Sequence, residues 1–365
     1  MHRRSFLQAG VGIAATLISG WEALGAQPGK SYRRIATEEH FTTPEVIDAF
    51  REISGKPSTN LDMEIVVPQY LNPGPMHDEL LDLGERRLAV MDKAGIDMQV
   101  LSLVSPGVQM FAPDRAIDLA ALVNDKIAGT IARHPTRFGG LAAVAPQSPH
   151  RAAREMERAI NVLKLNGFSI DSHTNNRYLD DPFFWPVLEA AEALDRPIYL
   201  HPRMPSDGMA VPFRGLDISV WGYGVEAGTH AVRLIFSGVF DRFPRLRLVL
   251  GHMGEALQFW QWRLDDLNAY NRNFLPHSKH LHLTPSEYLK RNFAITTSGQ
   301  LNPDALVYSL KTLGADHIIW AVDYPYQSSQ DAVAFIEHAA IDEATRSMIF
   351  SGNATRLFHI RDSRN

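Results

Sequence analysis

Eight short apolar runs recur along this chain, at 34–41, 98–104, 138–145, 167–172, 197–201, 246–252, 292–297 and 317–323. Gly, Pro or charge bounds them, as expected of strands buried on both faces. Between them lie stretches of helical polar/apolar periodicity, such as 114–134, 150–163 and 255–273. Strands alternating with helices predict βαβ units and a parallel sheet. Eight such units over about 330 residues suit an α/β fold closed as a (β/α)8 TIM barrel better than an open doubly wound sheet. No G-x-G-x-x-G follows a strand, which lowers the dinucleotide-binding alternative. The segment 351–360 reads as a short helix closing the barrel. The stretches 54–75 and 203–224, rich in Pro, Gly and Asn, read as long loops over the barrel mouth, either lids or subunit contacts.

Four of the runs finish in groups that can bind a metal or move a proton. These are Glu38 and His40 in T-E-E-H-F, His201 in Y-L-H-P, His252 in L-G-H-M-G-E, and Asp323 in W-A-V-D-Y-P-Y. In a parallel barrel the loops after the strands gather the active site, so residues far apart in sequence can surround one ion. Residues i and i+2 of a strand share a side, so E-x-H can aim a carboxylate and an imidazole inward together. For Glu38 and His40 alone, a solvated pair at a strand end is the plainer alternative; His201 and Asp323 weigh against it. Two carboxylates and two imidazoles suit zinc, manganese or iron(II).

His252 and Glu255 form a further pair. The expected helix start at 255 puts Glu255 where a carboxylate can orient the imidazole, although a helix-start glutamate is also favoured by the dipole. Arg263 follows Glu255 by about two helical turns and can grip a substrate carboxylate, or simply sit in a surface ion pair. His173 ends the fourth strand candidate. Trp320, Tyr324 and Tyr326 either line the pocket or pack in the core.

Composition narrows the classes. The chain has 365 residues, a formal net charge of -5 and no cysteine. Disulfides and thiolate chemistry are excluded, and no basic footprint for nucleic acid is present. Arg3-Arg4-Ser5-Phe6-Leu7 precedes a weakly apolar stretch and small residues up to Ala26. That order predicts a twin-arginine export signal over 1–26, cleaved near Ala26, ahead of a barrel domain over 31–365. An uncleaved anchor is the alternative, but the apolar stretch of about 12 residues is short for a bilayer. The mature product is expected to be exported or periplasmic, and cytoplasmic if the signal is not used.

Several motifs together resemble the amidohydrolase superfamily, in its branch of aromatic acid decarboxylases. They are I-A-T-E-E-H-F, L-L-D-L-G-E-R-R, D-S-H-T-N-N-R-Y-L-D-D-P-F-F, G-Y-G-V-E-A-G-T-H, G-H-M-G-E-A-L and D-Y-P-Y-Q. The likeness is to 5-carboxyvanillate decarboxylases, with γ-resorcylate and 2,3-dihydroxybenzoate decarboxylases as relatives. It implies metal ligands at Glu38, His40, His201 and Asp323, and a catalytic set of Asp323, His252 and Glu255. It also implies a substrate contact at Arg263, one divalent ion (manganese or zinc), a small aromatic carboxylic acid as substrate, and a homodimer or higher homo-oligomer. His173, by its strand-end position, and Tyr324, as a pocket aromatic, are further candidate substrate contacts. His40 matches the resorcylate pattern, whereas D-Y-P-Y-Q matches the carboxyvanillate one. Two-metal relatives bridge their ions through a carboxylated lysine ending the fourth strand. Here that tip reads Asp171-Ser172-His173, so one ion is expected. The rival readings are a metal-dependent hydrolase of an ester, lactone or amide on the same barrel, and a ligand- or metal-binding protein without turnover.

Overall fold

The computed structural model describes residues 32–55, 60–210, 213, 218–271 and 280–361. The expected export signal lies outside them. Contacts divide the chain at Tyr32/Arg33, and the unit Arg33–Asn365 contains the barrel. All eight expected strands form: β1 Ile35–Phe41, β2 Met98–Leu103, β3 Phe138–Ala143, β4 Gly167–Asp171, β5 Ile198–His201, β6 Leu248–Leu250, β7 Phe293–Thr296 and β8 Ile318–Ile319. They pair in sequence order and in parallel, with helices in the connections. Near-continuous apolar runs were the signal because both strand faces are covered; every residue of β1 to β6 is buried.

The seam between β8 and β1 closes differently. A single bridge joins Glu39 to Tyr324, with the His40 N–H donating to the Tyr324 carbonyl at 2.8 Å. Side chains complete the seam: Thr37 Oγ1 donates to the Trp320 carbonyl at 3.0 Å, and the Val322 N–H donates to Glu39 Oε1 at 3.1 Å.

The N-terminal end of the barrel is plugged with apolar side chains. Ile35, Val100, Leu141, Tyr199, Val249 and Ile319 pack there with Ala354, Leu357, Phe358 and Ile360. The expected closing helix is thus present, as Asn353–Leu357. Among the described residues, no helix is long and apolar enough to cross a membrane.

Four expectations need correcting. β6 and β8 stop at Leu250 and Ile319, so His252 and Asp323 sit beyond the ladders on irregular backbone. The helix expected from 255 begins at Leu257. The stretch 203–224 is not wholly loop, because the helix Ile218–Phe236 starts inside it. Gly224, read as loop punctuation, permits close packing instead: a Cβ there would lie 2.9 Å from Glu255 Oε2. The stretch 54–75 likewise contains the turn Asp62–Val66 and the helix Val67–Leu71. A buried ion pair between Arg203 and Asp62 joins the two long segments, and the Met204 N–H donates to Asp62 Oδ1 at 3.2 Å.

Candidate metal centre and active site

Glu38 and His40 on β1, His201 ending β5, and Asp323 beyond β8 each turn one ligand atom into a common space, all within 4.8 Å of one another. The four side chains are buried. A register shift between Ala36 and Glu39 bulges β1 at this level, a device that re-aims side chains at barrel rims.

Each carboxylate has a defined setting. Glu38 Oε2 accepts from Thr296 Oγ1 at 3.0 Å and from Ser298 Oγ. Its Oε1 accepts no hydrogen bond and lies 3.6 Å from His201 Nε2 and 3.5 Å from His252 Nε2. Burial pushes the Glu38 pKa up, but His252, His201 and His40 together bring it down to about 2. Asp323 Oδ1 lies 3.1 Å from His40 Nε2, and Oδ2 lies 3.9 Å from His252 Nε2. Burial, then repulsion by Glu38, raises its pKa well above the carboxylate range, with His252 opposing. Burial lowers the imidazoles of His40, to about 4, and His201, to about 3. Neutral imidazoles are the form that binds metals.

These residues fit one divalent cation. Two carboxylates this close and this buried cost several kcal/mol per ion unless a positive charge compensates them. The unpartnered Oε1 of Glu38 faces the space where that charge would sit. The donor set is all nitrogen and oxygen, which suits zinc, manganese or iron(II).

His252 reaches the group through an unusual backbone. His252, Met253, Gly254, Glu255 and Ala256 all have positive φ, at 49, 55, 67, 51 and 60°. This is a left-handed turn, costing roughly 1–2 kcal/mol for each residue bearing a Cβ. The turn folds Glu255 back so that its Oε1 lies 2.7 Å from His252 Nδ1. Burial opposes charge on His252, but Glu255, Glu38 and Asp323 outweigh it and push the pKa up to about 10. The expected pair therefore meets, by a route other than the first turn of a helix.

The remaining expected residues lie elsewhere. Arg263 is exposed on the helix Leu257–Asn271, and among the described residues no contact links it to the ligand group. Counting helical turns from Glu255 fails because Glu255 is not in that helix. His173 is buried, with Nε2 3.1 Å from the Met204 carbonyl and Nδ1 accepting from the Asn176 N–H at 3.3 Å. Both ring nitrogens are thus taken by backbone, Nε2 by the 203 segment and Nδ1 by the turn after β4. The Tyr324 ring lies against the Arg87 guanidinium at 4.6 Å, in the polar network beside β1. Trp320 is wholly buried, and its indole N–H donates to the Ala332 carbonyl at 3.1 Å. Of the aromatic trio, Tyr326 lies beside the ligands: its ring is 5.8 Å from His40, and its hydroxyl donates to Tyr70 at 3.0 Å.

Sequence reasoning missed three supports. Thr296 and Ser298, in the I-T-T-S-G end of β7, hold Glu38. Gly224 leaves room for Glu255, whose Oε2 a Cβ there would approach to 2.9 Å. Asp171, at the tip of β4, is buried beside His201, with Oδ1 3.7 Å from His201 Nδ1. Burial pushes its pKa up to about 8, with Arg203 opposing and Asp62 adding. An open groove of about 930 Å³ on the barrel flank, lined in part by Thr43, Leu83, Lys126 and Arg133, includes none of these groups.

Comparison with known proteins agrees with this geometry. The Amidohydrolase family profile matches residues 59–360. The chain belongs to the Amidohydrolase family. Within it, the chain is 37% identical to the γ-resorcylate decarboxylase of Polaromonas sp. over 337 residues, 90% of this chain and 98% of that protein. Its fold matches the crystal structure of 5-carboxyvanillate decarboxylase from Sphingomonas paucimobilis, with a TM-score of 0.88 and 50% identity over 91% of this chain and 100% of that one. It also matches 5-carboxyvanillate decarboxylase from Novosphingobium aromaticivorans, solved with manganese and 4-hydroxy-3-methoxy-5-nitrobenzoic acid. That match has a TM-score of 0.87 and 39% identity, covering 90% of this chain and 96% of the other.

Proposed function

We propose that the protein is a metal-dependent, non-oxidative carboxy-lyase acting on an ortho-hydroxybenzoate-type aromatic acid, of the 5-carboxyvanillate kind. The observation that carries this reading is the buried group Glu38, His40, His201 and Asp323, all within 4.8 Å, with His252 at its edge. A divalent ion held there, manganese or zinc, would polarise the substrate's carboxylate and phenolic oxygens. Manganese is the first to test, since a similar decarboxylase was solved with it.

The chain's own groups divide the work. An intact ring cannot lose CO₂ without leaving an aryl anion, so the ring carbon bearing the carboxylate is protonated first. In this reading Asp323, within the ligand group, delivers that proton. The carbon–carbon bond then breaks, its electron pair restores the aromatic ring, and CO₂ departs. A cation among the ligands would offset Glu38 and Asp323, two of the charges that raise the His252 pKa, and in its neutral form His252, steadied by Glu255, takes the phenolic proton. Positioned proton transfer of this sort contributes roughly 10²–10⁴-fold. The hydrolase reading is not favoured, because the similar proteins reported above are decarboxylases.

The test uses purified protein loaded with Mn²⁺ or Zn²⁺ and a panel of 5-carboxyvanillate, γ-resorcylate and 2,3-dihydroxybenzoate. Metal-dependent CO₂ release that His252→Ala abolishes is the expected result. No CO₂ from any member, with the metal measured in place, would end the proposal.

Two further parts of the reading are proposals. A homodimer or higher homo-oligomer would cover the exposed Phe259, Trp260, Trp262 and Tyr270, an apolar display unusual for a lone surface helix; light scattering checks it. Export by the twin-arginine route, with cleavage near Ala26, rests on Arg3-Arg4-Ser5-Phe6-Leu7. Fractionation of cells carrying Arg3→Lys with Arg4→Lys checks that.

A further inference from the structure

β4 and β5 pair so that Asp171 stands directly opposite His201. The Ser172 N–H donates to the His201 carbonyl at 2.8 Å, tying the two strand tips together. From the other side Gln109 grips the Asp171 backbone: its Oε1 accepts from the Asp171 N–H at 2.6 Å, and its Nε2 donates to the Asp171 carbonyl at 2.8 Å. Gly107 leaves space for the carboxylate, since a Cβ there would lie 2.6 Å from Asp171 Oδ2.

The His201 ring is held between two carboxylates. Its Nε2 faces Glu38 Oε1 at 3.6 Å, on the ion side, and its Nδ1 faces Asp171 Oδ1 at 3.7 Å. Both His201 Nδ1 and Asp171 Oδ1 are buried and make no hydrogen bond. A donor and an acceptor, each unsatisfied and facing one another, are complementary. A small turn of either side chain brings them to the roughly 2.9 Å of an N–H···O bond. The nearby Arg203 does not compete, because its guanidinium is committed to Asp62 and the His173 carbonyl.

We propose that Asp171 is a positioning residue for His201, accepting its Nδ1–H and so fixing the tautomer whose Nε2 lone pair is free for the divalent ion. This rests on the reading of Glu38, His40, His201 and Asp323 as the metal site. Outer carboxylates of this type orient ligating imidazoles and raise their basicity, and their loss weakens metal binding about 10–100-fold. The role needs only an acceptor oxygen, which Oδ1 offers whether or not the carboxyl is protonated. The Pro202 carbonyl also approaches the ring and is the competing acceptor.

The experiment is a Mn²⁺ titration without substrate, reading free Mn²⁺ by electron paramagnetic resonance, on wild type, Asp171→Ala and Asp171→Asn. Melting of the metal-free proteins is followed in parallel. The expected result is an approximately 10–100-fold weaker Kd for Asp171→Ala at an unchanged metal-free melting temperature. Asp171→Asn, which keeps an acceptor oxygen, stays within a few-fold of wild type. Wild-type affinity in a folded Asp171→Ala overturns the proposal and leaves the Pro202 carbonyl in the role; so does an Asn variant as weak as Ala. Should Asp171→Ala not fold, ¹⁵N-histidine spectra of the Zn²⁺-loaded wild type and Asp171→Asn decide. The His201 Nδ1–H resonance must shift between them, and an unmoved resonance overturns the proposal. A wild type that binds no Mn²⁺ or Zn²⁺ would instead sink the metal-site reading itself.

Discussion

At the N-terminal end of the strands, Ile35, Tyr199 and Ile319 pack against Phe358 and Ile360 with no charge among them. Two to four residues further along the same three segments come Glu38, His201 and Asp323, buried together and ionisable. One end gains stability from every apolar atom it covers. The other loses it by enclosing two carboxylates and a left-handed turn, and is held in shape by what surrounds it. Stability and chemistry are thus separated along single strands, and substitutions at the two ends should fail in different ways.

The largest expected effect is at the mouth. Asp323→Asn should lower turnover roughly 10²–10⁴-fold, while the metal-free protein melts at or above the wild-type temperature, since one of two mutually repelling carboxylates is gone. Steady-state CO₂ release, metal content and a thermal melt measure this together; near wild-type turnover would remove Asp323 from the proton-donor role. At the plug the pattern reverses. Phe358→Ala should cost about 3–5 kcal/mol in urea unfolding, with kcat unchanged at a temperature where the variant is folded. A large loss of kcat there would mean that the two ends are coupled.

A third test uses the metal as a ligand of the mouth alone. Mn²⁺ at 100 times its Kd should stabilise the wild type by about 2.7 kcal/mol and stabilise Glu38→Gln far less. Equal stabilisation of both would place the ion elsewhere.

The smallest effect concerns acid. Burial holds the His230 imidazole down at about 3, from a usual value of 6.5. The unfolded chain takes up a proton near pH 6.5 and the folded one does not, so stability is full above that pH and is lost as pH falls towards 3. By pH 5 the loss from His230 alone is about 2 kcal/mol. Urea midpoints of the metal-free protein at pH 7 and pH 5 read it, and His230→Asn should show a shallower fall.

Much of the barrel was legible because strands covered on both faces must be apolar nearly throughout, whatever their partners. Glu38 and His40 were legible for a related reason: the period of two puts them on one side of β1 without knowledge of the rest. The misreadings share a cause. W-A-V and G-H-M continue the apolar texture of β8 and β6, so composition could not mark that the ladders stop at Ile319 and Leu250. Gly222 and Gly224 have the look of loop punctuation, yet they lie in a helix, and at Gly224 that helix needs a surface without a side chain against Glu255. Arg263 was placed by counting along a helix that starts two residues after Glu255.

What the sequence determined by itself is the chemistry on offer: oxygen and nitrogen donors, no sulfur, presented at strand ends in a barrel. Hydrophobic period and residue type carry that information locally. Which donors share one space was decided only by closing the barrel, which joins β1 to the segment after β8 through Glu39, His40 and Tyr324. The same holds for the backbone of Asp323, at a φ of 74°, and for the left-handed turn at His252. No local preference favours either conformation for residues bearing a Cβ, so the packing of distant segments has to impose them.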